Sequence, residues 1–475
     1  MKKLLLSLFL LSKSFVLIGQ SDADIDLTFI NGPGPLNGAS TNVNTVAFQS
    51  DGKMLVGGGF TFYNGLAQSR LVRLNINGTK DTSFDIGSGF SHEITAIVVQ
   101  PDGKILVGGG FNTVNGAVQN RLIRLNADGT KDTSFNIGAG FNGVNIHSIA
   151  LQSDGKILVG GNFTNFNGTN QNNLIRLNSS GSRDTTFNTG TGFDGNVLSI
   201  AIQSDGKIIA GGYFSNFNGT AQKELIRLNQ DGTKDTTFNI GTGFTPAGSS
   251  VKAISIQNDG KIVVGGDFTI FNGVQSNRVI RLNTDGTKDS AYTIGTGFNG
   301  PVYTILKQAN GKMLVGGQFN SYNGSSPNNK IIRLNTDGTR DATFSSLSGF
   351  NGTVVSSLAI NSNGNILVGG TFTTYRGNST DYIVRLVGNS VLSSSDFNTK
   401  SLKFSLYPNP TNDLLNVTVE SDLKSVEIYS LQGQKVLNTN TNTNTFSIAN
   451  LSNGLYMVRV EDENGAVATQ KLMKQ

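Results

Sequence analysis

The sequence lacks cysteine and tryptophan and contains little histidine, proline or charge. Its 475 residues include no Cys, no Trp, two His and eight Pro, and charged residues make up 15%. The absence of Cys excludes disulfides, a lipid-anchored cysteine and a thiol nucleophile. The two histidines, His92 and His147, form neither a paired-His metal motif nor a Ser/His/Asp triad pattern. We therefore expect no cofactor and no metal site, and a fold that is stabilised by packing.

The sequence also lacks a strongly basic surface. Its formal net charge is +5, but Lys2, Lys3 and Lys13 lie in the first segment, and the rest of the chain is close to neutral. Nucleic-acid binding requires a much denser positive charge, so we expect no nucleic-acid partner.

Only one region is apolar enough to resemble a targeting signal. Residues 1–19 have a positive start followed by the apolar run Leu4–Leu11, and the run is interrupted around Lys13. This pattern predicts a signal peptide cleaved near Gly19/Gln20 rather than a transmembrane segment. We therefore expect a protein that is secreted or displayed at the outer-membrane cell surface.

Glycine, by contrast, is abundant, with 60 residues. Together with many Phe, Val, Ile and Thr residues, it favours an all-β protein. A segment with the pattern Gln-x-Asp-Gly-Lys-Ile-Leu-Val-Gly-Gly recurs every 51 to 54 residues, and the glycine of its turn marks seven copies: Gly52, Gly103, Gly155, Gly206, Gly260, Gly311 and Gly364. Each copy contains four short strand candidates separated by turn signals. The repeat predicts a seven-bladed β-propeller.

A charge pattern predicts how the ring closes. Six copies carry an Arg in the third strand and an Asp eight residues later, a spacing that places the two side chains opposite each other across a hairpin. The seventh Arg, Arg385, has no such Asp, but the N-terminal segment Asp26–Phe29 resembles a surplus fourth strand. We therefore expect Asp26–Phe29 to complete the last blade beside Arg385, which leaves the ring without a free edge.

The repeat, read as Ala-Ile-x-x-Gln-x-Asp-Gly-Lys-Ile-Leu-Val-Gly-Gly-x-Phe followed by Arg-Leu-x-x-Asp-Gly-Thr-x-Asp, resembles the delta-60 repeat family of bacterial propellers. The resemblance covers about residues 24–388. It implies a fold but little chemistry, and on this basis residues 20–388 are expected to form the propeller.

The composition changes after the last repeat. Residues 389–402 are rich in Ser and Asn and are expected to be a linker, and 403–475 contain short alternating strands that predict a small Ig-like β-sandwich. This region resembles the type IX secretion sorting domain of Bacteroidota. The matching residues are Tyr407, Pro408, Asn409 and Pro410, then Gly454 and Tyr456 in the Leu-x-x-Gly-x-Tyr block. The resemblance implies recognition by the type IX translocon, followed by release or attachment to the cell surface.

Positions that differ between blades are candidates for a ligand site. One variable column lies at the start of the first strand and contains His147, Lys252 and Tyr303. The other follows the Gly-Gly pair of the second strand and contains Tyr213 and Asp267. Because these two strands are antiparallel, both columns should lie at the same end of the ring. These five residues are our candidate ligand-binding residues, with tolerated rim positions as the alternative interpretation.

Two functional classes are open from the sequence. The first is an extracellular binding module for glycans, peptides or proteins. The second is a polymer-degrading hydrolase or lyase, for which two acidic side chains at the mouth of the ring would be needed. Asp267 is the only acidic residue in the two variable columns, so we assign no catalytic residue and favour the binding module.

Overall fold

The computed structural model describes residues 22–29, 42–246, 248–326, 329–388, 404–419, 422–430, 435–439, 443–463 and 467–475. The expected signal peptide and linker lie outside these residues. The chain divides into two compact units, Met1–Ser390 and Val391–Gln475. Among the described residues, no helix is long and apolar enough to cross a membrane.

The first unit contains seven sheets, each with an inner, a middle and a third strand in antiparallel order. We number these sheets as blades 1 to 7. The inner strands are Val43–Phe48, Ile94–Val99, Asn145–Leu151, Asn196–Ile202, Val251–Ile256, Val302–Lys307 and Val355–Ile360. The middle strands are Met54–Gly58, Ile105–Gly109, Ile157–Asn162, Ile208–Tyr213, Ile262–Gly266, Met313–Gly317 and Ile366–Gly370. The third strands are Leu71–Leu74, Leu122–Leu125, Leu174–Leu177, Leu225–Leu228, Val279–Leu282, Ile331–Leu334 and Ile383–Leu386.

Glycine in the middle strand allows neighbouring blades to pack closely. A Cβ atom on Gly57 of blade 1 would lie 2.7 Å from Ile94 Cγ2 of blade 2. The same contact closes the ring, because a Cβ on Gly369 of blade 7 would lie 2.5 Å from Val43 Cγ1 of blade 1. Real Cβ atoms do not approach other atoms this closely, so a side chain at either position would force the blades apart.

The fourth segment of each blade is less regular than the sequence predicts. It forms a single β-bridge rather than a strand, for example Leu74 with Lys80 in blade 1. The reason lies in the next residues. The Asp81 carboxylate accepts hydrogen bonds from both the backbone N–H (3.0 Å) and the hydroxyl (2.7 Å) of Ser83, and this contact turns the chain away from the sheet.

Short hairpins that the repeat pattern does not predict connect the middle and third strands. In five blades they form separate two-stranded ladders: Phe62–Tyr63 with Leu66–Ala67, Thr113–Val114 with Ala117–Val118, Asn165–Phe166 with Thr169–Asn170, Asn216–Phe217 with Thr220–Ala221, and Thr374–Tyr375 with Asn378–Ser379. In blade 5 the hairpin Ile270–Phe271 with Val274–Gln275 gains a third strand, Phe244–Thr245.

The repeated arginines join each blade both to its own fourth segment and to the next blade. In blade 2, Arg124 Nε lies 2.7 Å from Asp132 Oδ2, and Arg124 Nη1 donates to the carbonyl of Ser179 in blade 3 at 2.6 Å. Its guanidinium also stacks 4.7 Å from the ring of Phe135. The predicted Arg–Asp pairs are present in this form in all the blades. Each arginine therefore joins the third strand to the fourth segment of its blade, and also joins that blade to the next one.

The N-terminal segment completes blade 7 as the charge pattern predicts. Asp26 Oδ2 lies 2.8 Å from Arg385 Nε, and Ile25 bridges Leu386 in antiparallel register. Arg385 then donates to the carbonyl of Ile76 in blade 1, just as the other arginines reach the following blade. The prediction that the N-terminal segment closes the ring beside Arg385 is therefore confirmed. The backbone pairing runs through residues 23–26, however, and residues 27–29 form a turn rather than a strand.

The second unit consists of two small antiparallel sheets. One contains Phe404–Tyr407, Leu414–Val419 and Thr445–Ser447, and the other contains Lys435–Thr439, Leu423–Ser430, Gly454–Asp462 and Val467–Lys474. Leu415, Val417, Val426, Ile428 and Val458 are buried together in its core. Two such sheets around one apolar core form the expected sandwich.

Candidate functional site

The variable column of the inner strands lies at a β-bulge. In each blade the register shifts at this residue, as between Val251 and Ala253 around Lys252. The second column follows the partner strand at the same end, since Val251 pairs with Gly266, the residue before Asp267. A bulge leaves one residue outside the ladder and can redirect its side chain. We call this end of the ring the mouth.

Three of the five candidate residues meet at blades 5 and 6. Lys252 Nζ lies 3.1 Å from Asp267 Oδ2 and 5.3 Å from the centre of the Tyr303 ring. The Asp267 carboxylate is held in place by Ser250, which donates to it through its backbone N–H at 2.5 Å and through its hydroxyl at 3.1 Å. The lysine and aspartate side chains are about a quarter exposed, at 20% and 27%. The group therefore presents a paired cation, an anion and an aromatic ring at the mouth.

His147 belongs to the same end of the ring but lies in blade 3. Burial lowers the pKa of its imidazole, the positive charge of Lys252 lowers the pKa further, and Glu93 of blade 2 opposes both effects. The imidazole is therefore neutral at pH 7 and can both donate and accept a hydrogen bond. Glu93 itself accepts a hydrogen bond from Asn44 Nδ2 of blade 1 at 3.0 Å.

Tyr213 stands apart from this group. It ends the middle strand of blade 4, pairs with Asn196, and is 52% exposed. Exposed aromatic rings that are not needed for a core are suited to contact a ligand. Within the part of the chain that the structure describes, Tyr213 forms no hydrogen bond, ion pair or ring contact with the other four candidates.

Glu224, in blade 4, is a mouth residue that the sequence reasoning missed. Only 5% of it is exposed, Ser249 Oγ lies 3.5 Å from its Oε1, and its Oε2 has no hydrogen-bond partner among the described residues. Burial raises the pKa of Glu224 to about 7, and the nearby Asp267 also raises it. Lys223, the Ser249 hydroxyl and the Phe244 backbone N–H lower the pKa in part. A comparison of the position just before the third strand in each blade would have revealed it.

The residues matched to the sorting motif are placed in the second unit. Asn409 Nδ2 donates to the carbonyl of Lys471 at 2.7 Å, and its Oδ1 accepts from Met473 N–H at 2.9 Å. Tyr456 is buried and donates to the Ser452 carbonyl at 2.8 Å, whereas Tyr407 is 52% exposed. The Pro408–Pro410 turn thus holds the final strand through Asn409, and Gly454 begins the strand that pairs with it.

Among solved structures, similarity is limited to the fold. PorZ, an essential surface component of the type-IX secretion system of Porphyromonas gingivalis, is 16% identical with a TM-score of 0.44, covering 92% of this chain and 60% of that one. The extracellular domain assigned to a hybrid two-component system of B. thetaiotaomicron is 14% identical with a TM-score of 0.46, covering 96% and 59%. The chain therefore spans about three fifths of these two structures. No curated protein matches the sequence.

The families match both units. The family described as a secretion system C-terminal sorting domain matches residues 405–475, which indicates export to the cell surface or secretion. The domain of unknown function (DUF5122) beta-propeller matches seven segments: 49–84, 100–135, 152–187, 203–238, 257–292, 308–344 and 362–392. Together the seven segments make up more than half of the chain. This chain belongs to the DUF5122 beta-propeller family and carries a type IX secretion sorting domain.

Proposed function

We propose that the propeller is an extracellular binding module and that its mouth, lined by His147, Tyr213, Lys252, Asp267 and Tyr303, holds a glycan or protein ligand. The type IX translocon would recognise the sorting domain and deliver the module to the cell surface or the medium. The observation that carries the proposal is the contact of Lys252 with Asp267 and Tyr303. The equivalent positions in blade 7 hold only Ser356 and Thr371.

Scaffold and ligand positions should differ in how they vary around the ring. The arginine that joins neighbouring blades is the same in all seven copies, because every copy performs the same packing task. At the mouth, the packing does not require a lysine, a tyrosine or an aspartate, since other blades fold with Asn, Thr or Ser there. Conversely, a half-buried cation beside an aromatic ring is a common recognition element.

A glycan and peptide array with the exported full chain tests the proposal. We expect at least one ligand class to bind, and the double variant Lys252→Met, Tyr303→Leu to weaken that binding at least about tenfold. Ser356→Ala is the matched control, since it changes the same column in blade 7, and it should bind like the unmodified protein. Binding that survives the double variant unchanged would place the ligand elsewhere.

A second candidate is a polymer-degrading enzyme. The observation that favours it is the proximity of Glu224 and Asp267, two carboxyl groups whose environments differ and which could act as acid and base. Against it, Asp267 is already engaged by Lys252 and Ser250, and Glu224 is buried. New chain ends released from polymers on the same array, and absent with Asp267→Asn, would favour the enzyme.

A further inference from the structure

The residue just before the third strand occupies the same place in all seven blades. It has a positive φ in each of them: Arg70, Arg121, Asn173, Glu224, Arg278, Lys330 and Tyr382. Its backbone N–H donates to the carbonyl of the Phe that follows the middle strand, for example Arg121 to Phe111 at 2.8 Å and Glu224 to Phe214 at 3.0 Å. Since the backbone has the same conformation and the same hydrogen bond in each blade, the seven side chains can be compared directly.

In three blades this place holds a guanidinium group. Arg70, Arg121 and Arg278 each donate through Nη1 to the carbonyl of the residue after the Gly-Gly pair, which is Gly59, Gly110 or Asp267. In blade 2 the distance is 2.8 Å, and Nη2 also donates to the carbonyl of Gly143, at the start of blade 3, at 2.7 Å. We call this place the guanidinium niche. It lies between a blade and the loop of its neighbour.

Blade 4 reverses the charge in the niche. The side chain is the carboxylate of Glu224, and the carbonyl equivalent to that of Gly110 belongs to Tyr213. An ionised carboxylate cannot donate to a carbonyl, so the two groups that line the niche in blade 4 are both acceptors. Ser249, in the loop leading to blade 5, supplies a hydroxyl 3.5 Å from Oε1, and the backbone N–H of Phe244 also lowers the pKa of the carboxyl group. Oε2 makes no hydrogen bond with any described residue.

A buried, unpaired carboxylate is unfavourable, and a cation would relieve the cost. The raised pKa of Glu224, caused chiefly by burial and increased by Asp267, is consistent with a missing counter-charge. Neighbouring groups do not supply that charge in full. Lys223 lies on the exposed surface and lowers the pKa only in part, while Lys252 is paired with Asp267.

We propose that the niche of blade 4 binds a guanidinium group supplied by a partner, namely an arginine side chain of a peptide or protein. The guanidinium would form an ion pair with the Glu224 carboxylate and donate to the Tyr213 carbonyl, as the protein's own arginines do in blades 1, 2 and 5. The ring of Tyr213, which is 52% exposed in the same blade, would stack on the planar group. The inference rests on the proposed binding function and specifies its ligand as a basic protein segment rather than a glycan.

A guanidinium group fits the niche better than a metal ion or an ammonium group. Within the described parts of the chain, no three His, Cys, Asp or Glu side chains come together as a metal would need. A guanidinium presents a planar fork with several donors, which matches a carboxylate and a carbonyl at once. The incoming arginine would approach from the exposed side of blade 4, where Tyr213 and Lys223 can change rotamer at little cost.

Binding of three acetylated tetrapeptides to the full chain tests the inference by calorimetry: tetra-arginine, tetra-lysine and tetra-citrulline. Citrulline has the shape of arginine without its charge. We expect tetra-arginine to bind at least about tenfold more tightly than tetra-citrulline, and more tightly than tetra-lysine. Equal binding of arginine and citrulline peptides would overturn the inference.

Two variants locate the effect. Glu224→Gln keeps the size and removes the charge, and Glu224→Arg restores the side chain that the repeat carries in blades 1, 2 and 5. Both should weaken tetra-arginine binding at least about tenfold, and Glu224→Arg should melt no lower than the unmodified protein, since it fills the niche from within. The control Glu93→Gln removes one negative charge from the same face and should change binding less than twofold.

The remaining outcomes separate the two proposals. Equal weakening by Glu93→Gln and Glu224→Gln would indicate non-specific charge attraction and overturn the niche. Stabilisation by Ca²⁺ in place of arginine would overturn it as well. An array ligand that is lost with Lys252→Met, Tyr303→Leu but bound normally by both Glu224 variants would leave the mouth as the binding site and remove only the guanidinium inference.

Discussion

Glu224 also has a consequence for stability that can be measured without any ligand. Burial raises the pKa of its carboxyl from the usual value near 4.5 to about 7. Between these two pH values the unfolded chain releases the proton while the folded chain keeps it. The folded state therefore binds more protons over this range, and its stability relative to the unfolded state falls as the pH rises.

We predict that Glu224→Gln becomes progressively more stable than the unmodified protein between pH 5 and pH 8. The difference should reach on the order of 2 kcal/mol, because the amide never ionises and so carries no such pH dependence. The free energy of unfolding in urea at pH 5, 6, 7 and 8 measures it. An equal difference at all four pH values would mean that Glu224 has an ordinary pKa.

The sequence identifies some mouth residues and not others for a physical reason. Lys252 and Asp267 are predictable because antiparallel pairing of the inner and middle strands brings their columns to one end of the ring. The state of Glu224 depends on its burial and on contact with Ser249, which belongs to the loop that leads into blade 5. That loop is longer than its equivalents. Repeat spacing alone does not reveal which side chain such a loop covers.

At the scale of the elements, the N-terminal segment that closes the ring, residues 22–29, is bound more extensively than the fourth segments inside the ring. Three carboxylates of the segment pair with blades 6 and 7: Asp22 with Arg333 at 2.5 Å, Asp24 with Arg376 at 2.6 Å, and Asp26 with Arg385 at 2.8 Å. Backbone hydrogen bonds add to them, including Ala23 N–H to the Val387 carbonyl at 2.7 Å. The segment therefore joins two chain ends that would otherwise leave an open sheet edge.

We predict that the triple variant Asp22→Asn, Asp24→Asn, Asp26→Asn lowers the free energy of unfolding by at least about 3 kcal/mol, because Arg385 is left buried without a counter-charge. The control changes three exposed turn aspartates, Asp51, Asp102 and Asp154, to Asn, and it should cause a much smaller loss. Amide hydrogen exchange should show the triple variant opening first in blades 7 and 1. Equal losses of unfolding free energy in the two variants would mean that the pairing of the N-terminal segment with blades 6 and 7 has no specific role in stability.

Local charge pairing predicts the closure of the ring by the N-terminal segment well. It predicts the shape of the fourth segment of each blade poorly. The Arg–Asp spacing is a property of one hairpin, so it can be counted along the chain and the missing partner of Arg385 found. The turn after Asp81 depends instead on a side chain that competes with the sheet for backbone N–H groups. The reach of each arginine into the following blade also becomes visible only when the ring is assembled.

Over the whole ring, one carboxylate paired with an arginine is repeated seven times: Asp26, Asp81, Asp132, Asp184, Asp235, Asp289 and Asp341. At Asp81, burial by itself raises the pKa, but hydrogen bonds from Ser83, Lys53 and Arg73 outweigh it and hold the pKa well below the usual range. The pKa values of the other six carboxyls are also lowered, in each case by an arginine and the backbone N–H two residues later together with further donors. A fold joined by seven such contacts should lose them together.

The seven aspartates and Glu224 therefore change the free energy of unfolding in different pH ranges and in opposite directions. Each aspartate stabilises the folded state fully above the unfolded pKa near 3.8, and this stabilisation is lost as the pH falls below that value towards the lowered folded pKa. Glu224 reduces stability as the pH rises from about 4.5 to about 7.

We predict that the free energy of unfolding is greatest near pH 5, declines gently towards pH 7, and falls steeply below pH 4. The steepness follows from the number of equivalent carboxylates, since several protons are taken up in one unfolding event. Urea denaturation from pH 2 to pH 8 measures the curve. A stability that stays constant down to pH 2 would mean that the seven Arg–Asp contacts contribute little to holding the blades together.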